Sequence, residues 1–142
     1  MFGSDRNQMR QVFIESWRKQ RDGVSMEPLE QLVASVVLNH PEYQSLLVDR
    51  EKALSKEFLP EAGESNPFLH MAMHITLQEQ LATDRPRGLT ALYQRLTQRI
   101  GDVHEAEHQL MECLAQMLWE AQSNQRLPDE QAYLECIKQL VI

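Results

Sequence analysis

The chain is 142 residues long and 42% apolar, enough to bury roughly two-thirds of its extended surface as one domain, 1–142, without disulfide staples. A formal net charge of -7 with no long basic run argues against a phosphate-tracking surface, so nucleic acid is not an expected partner. No apolar stretch approaches the ~18 residues of a membrane span, and the opening residues lack the apolar core of a signal peptide, so a cytoplasmic protein with no membrane partner is expected.

Apolar residues recur at helical spacing almost throughout, and no alternating, β-branched segment competes with that pattern. The fold class read from this is all-α, a single-domain bundle of six or seven helices. A first helix is predicted after the Ser4-Asp5 cap, burying Met9, Val12, Phe13 and Trp17 and ending near Asp22-Gly23. Pro28 suits the first turn of a second, whose stripe is Leu29, Leu32, Val33, Val36 and Val37. His40-Pro41 ends it, because proline pushes the preceding residue out of the α region. Residues 42 to 58 read as one helical stretch around Leu46, Leu47, Leu54 and Phe58, in which Val48-Asp49 is the place where a break could fall.

Pro60 to Ser65 reads as a loop, followed by Asn66 as a cap and a helix from Pro67 to about Ala82. The cluster Thr83-Asp84-Arg85-Pro86-Arg87-Gly88 is a turn, and Leu89, Leu92, Tyr93, Leu96 and Ile100 mark the next helix. Gly101 stops that helix and Asp102 caps the longest one, which runs to about Gln122. Pro128 is read as opening a final helix that buries Tyr133, Cys136, Ile137 and Leu140. Cys113 and Cys136, far apart in a chain assigned to a reducing compartment, are expected to be buried free thiols.

The sharpest chemical signal is a pair of histidine doublets, His70-x-x-x-His74 and His104-x-x-x-His108. Residues four apart project from one helix face, so each doublet can chelate a single transition ion. Leu77, Leu81 and Met73 fall within about 60° of His70 on a helical wheel, which puts the first doublet in an apolar stripe. The second reads as lying at the edge of a buried face. Burial and a helix N-terminus both disfavour imidazolium, the form that cannot ligate.

Short connections make successive helices antiparallel, so the two helices flanking Leu89 to Ile100 are expected to run parallel, with their doublets at nearly equal height. The expectation is therefore a divalent transition metal, Zn, Fe, Ni or Cu, on His70, His74 and one or both of His104 and His108. Glu105 and Glu112, roughly 80 to 100° round the helix from His104, are read as the nearest carboxylates for moving a proton, and a hydrolase or transferase acting on a small-molecule substrate is one form of the reading. A metal sensor or store is another.

The competing reading is a non-catalytic bundle that binds a protein partner and merely packs its histidines. His104-Glu105-x-x-His108 also matches the zinc metalloprotease signature, but Glu107 stands where those helices carry an apolar residue, position 114 is Leu rather than His, and no strand pattern exists to hold a peptide. Met71, Met73, Met111 and Met117 read as core filler, Trp17 and Trp119 as structural, and His40 as a loop residue beside Pro41.

The strings His40-Pro41-Glu42-Tyr43, Asn66-Pro67-Phe68-Leu69-His70, Arg85-Pro86-Arg87-Gly88, Met111-Glu112-Cys113-Leu114, Trp119-Glu120-Ala121-Gln122 and Tyr133-Leu134-Glu135-Cys136 resemble a proteobacterial family catalogued as domain of unknown function 1841. The likeness covers nearly the whole chain. It implies a small bacterial cytoplasmic protein and carries no activity or site residue. A looser likeness to DinB-type bundles, which hold a divalent ion with three histidines, is one of architecture alone.

Overall fold

Helix punctuation in this chain is done by prolines, glycines and short acidic side chains, and each marks where one rod stops and the next begins. The computed structural model describes residues 6–58 and 66–142; the expected Ser4-Asp5 cap and the loop from Pro60 to Ser65 lie outside them. Among the described residues there is no strand, and the helices are α1 (Arg6–Asp22), α2 (Pro28–Leu38), α3 (Pro41–Val48), α4 (Arg50–Ser55), α5 (Pro67–Thr83), α6 (Leu89–Ile100), α7 (Val103–Ser123) and α8 (Glu130–Val141). Eight helices stand where six or seven were expected. Asp49 accounts for the difference: it leaves the helical region at φ -92°, ψ 92° and its carboxylate accepts from Lys52 N at 3.1 Å, ending α3 and capping α4. No helix among the described residues is long and apolar enough to cross a membrane.

The contacts gather into two compact units, Met1–Ile75 and Thr76–Ile142. In the first, α2 begins with a capping box in which Glu27 N donates to Glu30 Oε1 at 2.9 Å, ahead of Pro28 in the first turn. Its stripe Val33, Val36 and Val37 meets Phe13, Ile14 and Trp17 of α1, Leu47 of α3, Ala53 of α4, and Phe68, Met71 and Ile75 of α5 in one core. Leu29, expected in that stripe, is exposed.

A charge is buried at the rim of this core. Arg10, 1% exposed, donates from Nη1 to the carbonyls of Ala53 at 3.1 Å and Lys56 at 2.6 Å, so a guanidinium closes the C-terminal end of α4. Its plane also lies over the Phe68 ring, 4.8 Å from the centroid.

In the second unit Asp84 organises the turn before α6. Its carboxylate accepts from Gly88 N at 3.2 Å and Thr90 N at 3.0 Å, bonds that hold it below the ordinary carboxylate range. Gly88 sits at φ 99°, a conformation that side chains with a Cβ rarely adopt. Gly101 then stops α6, and Asp102 caps α7 by accepting from His104 N at 3.0 Å and Glu105 N at 3.4 Å. The last helix starts at Glu130 rather than at Pro128, because Asp129 is its cap and accepts from Ala132 N at 3.1 Å.

Cys113 of α7 and Cys136 of α8 form a disulfide. This corrects the expected free thiols, which had been inferred from an assumed reducing compartment. A bridge between residues 23 apart contributes about 3 kcal/mol by restricting the unfolded chain. Beside it the buried Tyr133 donates its hydroxyl to Gln80 Oε1 at 2.8 Å, and burial raises that phenol's pKa.

Candidate metal centre

Two of the candidate ligands come from one turn of α5. Pro67 occupies its first turn and the Asn66 side chain accepts from Phe68 N at 2.9 Å and Leu69 N at 3.3 Å, which fixes the helix start and therefore the heights of His70 and His74. The two rings meet as the spacing predicts, with Nε2 to Nε2 at 3.1 Å. Two nitrogens each about 2.05 Å from one tetrahedral ion lie about 3.3 Å apart, so the doublet already stands at bidentate spacing. His74 is 4% exposed and His70 is half-buried.

A third imidazole joins them from the junction of α2 and α3. His40, 3% exposed, lies with its ring centroid 4.7 Å from that of His74 and 5.2 Å from that of His70. One ligand nitrogen from each of His40, His70 and His74 lies within 4.8 Å of the others. The Nδ1 of His40 is 2.7 Å from the Val36 carbonyl, which can only accept, so Nδ1 carries the proton and a neutral ring offers its lone pair at Nε2. Metal-ligating histidines are commonly oriented in this way. Tyr43, in the first turn of α3, stacks on His40 with centroids 5.6 Å apart and planes 8° from parallel; burial raises its phenol pKa, with Glu42 adding a smaller push.

His40 was expected to be a loop residue, and nothing in its periodicity marks it. The available signal was the string His40-Pro41-Glu42-Tyr43, in which proline fixes a helix start immediately after the imidazole and Tyr43 falls one turn later.

The second doublet belongs to the second unit. His104 and His108 face one another at the start of α7, ring centroids 4.2 Å apart, with His104 exposed and His108 half-buried. Glu105 and Glu112, the expected proton carriers, are both exposed on α7, and Glu105 accepts from Gln109 Nε2 at 3.3 Å. The buried carboxylate of this helix is instead Glu107, 8% exposed, which accepts from Gln78 Nε2 at 3.2 Å. Burial raises the pKa of Tyr93, and the charge of Glu107 raises it further. In the sequence, Glu107 stands out only as a departure from the protease signature.

An all-helical chain with buried, clustered imidazoles is the class of protein these features define. The chain matches the family described as Domain of unknown function (DUF1841) over residues 5–139, and it belongs to that family. No curated protein and no solved structure matches it.

Proposed function

We propose that this protein binds one divalent transition-metal ion through His40, His70 and His74. The observation that carries the reading is the approach of three ring nitrogens within 4.8 Å, one of them on a ring whose other nitrogen is already committed to a backbone carbonyl. Three neutral nitrogen donors suit Zn, Fe or Ni better than the oxygen-seeking Mg or Ca. When bound, such an ion supplies Lewis acidity, the chemistry of hydrolysis and group transfer. The chain's own part is to hold the three rings, keep the Nδ1 proton of His40 on Val36, and bury the ligands within the apolar surroundings of α5.

Elemental analysis of protein purified without a histidine tag is the direct test, with about one transition ion per chain expected. His70→Ala and His74→Ala abolish it, and zinc added to metal-free protein raises the melting temperature. Metal-free protein whose melting temperature ignores zinc, nickel and ferrous iron would sink the proposal. A second reading, a surface for a protein partner, is supported by one observation: Leu118 and Trp119 lie side by side on α7 with 42% and 67% of their surfaces exposed.

A further inference from the structure

We infer that Tyr43 is the positioning residue of this centre, the side chain whose ring face fixes the orientation of the His40 imidazole relative to the His70–His74 pair. The inference rests on the metal reading above and adds a residue to it. His70 and His74 need little help, because a helix restricts their rotamers and places them one turn apart. His40 has no such support. It precedes α3 at φ -127°, ψ 69°, outside the helical region, so its own backbone does not restrict the ring as a helix would.

Besides the neighbouring His70 and His74 rings, two contacts supply what the backbone does not. The Nδ1 bond to the Val36 carbonyl, 2.7 Å, sets the direction of one ring edge but leaves the ring able to rock about that bond. The near-parallel Tyr43 face, 8° from the imidazole plane, opposes that rocking. Tyr43 also meets His70, with centroids 6.2 Å apart and planes at 73°, so one aromatic ring lies against ligands from both α5 and the α2–α3 junction. It is itself anchored, since Tyr43 N donates to the His40 carbonyl at 3.0 Å in the first turn of α3. This is the part an orienting neighbour plays around a metal ligand, and loss of such neighbours typically costs 10- to 100-fold in affinity.

The test compares Tyr43→Phe, Tyr43→Leu and Tyr43→Ala, each confirmed as folded by circular dichroism, with Co(II) as the probe. The ring face is what matters, so Tyr43→Phe binds Co(II) within about threefold of the parent with an unchanged visible spectrum. Tyr43→Leu, which fills the space without a flat face, and Tyr43→Ala each lose about tenfold or more and shift the ligand-field bands. Nitrogen-15 NMR of the ion-free protein gives a second readout: a single Nδ1–H tautomer for His40 in the parent and Tyr43→Phe, and exchange averaging in the Leu variant. Full affinity and an unaltered spectrum in Tyr43→Leu overturn the inference, as does a loss in Tyr43→Phe equal to that in Tyr43→Ala. If the parent takes up no Co(II), the metal reading fails on that result alone, and the His40 tautomer still decides whether Tyr43 orients the ring.

Discussion

The two histidine doublets share a spacing and differ in exposure and in what stands beside them within their own units. His70 and His74 touch nitrogen to nitrogen at 3.1 Å and have a third imidazole beside them in the same unit; His104 and His108 pair at the start of α7 with His104 open to solvent. A four-residue step supplies the reach for chelation, whereas a third donor comes from wherever the chain next turns. The units that carry them also hold themselves together differently. The first seats a buried guanidinium on the last carbonyls of α4, and the second bolts α7 to α8 covalently.

The largest expected effect separates the doublets. His74→Ala removes a buried imidazole of the proposed site and lowers transition-metal affinity by at least about a hundredfold, whereas His104→Ala, at an exposed position, changes it by less than about threefold; titration with a competing chelator measures both. Equal losses would break the comparison. His108→Ala in the same titration tests the sequence-based expectation that the second doublet also ligates. Next in size is the bridge: Cys136→Ser lowers unfolding free energy by about 3 kcal/mol, read from denaturant titration, and the intact parent weighs two hydrogens less than its reduced form.

Arg10→Met costs about 2 kcal/mol in the same titration, because the Ala53 and Lys56 carbonyls lose a charged donor and the Phe68 ring loses its cation. No change on substitution would mean that the guanidinium is incidental to the first unit. The smallest effect has the opposite sign. Ser16 is 0% exposed and its hydroxyl has no hydrogen-bond partner among the described residues, so Ser16→Ala stabilises the protein by about 1 kcal/mol, and a fall in melting temperature would contradict this.

Much of the helical scaffold was legible because its signals are local. Pro28, Asn66, Gly101 and Asp102 each act on the chain within one turn of themselves, and each stands at the helix end expected of it. The last helix was misplaced at its start because Pro128 was given the role that the Asp129 carboxylate fills. The candidate site was legible where it too is local, in the four-residue spacing that brings His70 to His74 and His104 to His108. His40 enters from a junction that no periodicity describes, and the Cys113–Cys136 bond depends on how α7 packs on α8, which spacing along the chain does not encode. Glu107 escaped for a related reason: its burial is set by which side of α7 faces its neighbours, and a motif search sees only its order in the string.

One ring at the end of α2 has two tasks. His40 plugs that helix, with its side chain on the Val36 carbonyl and its amide on the Val37 carbonyl at 2.9 Å, while Gln44 Nε2 reaches the Val37 carbonyl at 3.2 Å. A cation drawing electron density from the far side of an imidazole makes the near-side N–H a stronger donor. Loading the ion would thus tighten a helix terminus, and slower hydrogen exchange at His40 and Asn39 would make the last turn of α2 a built-in gauge of occupancy.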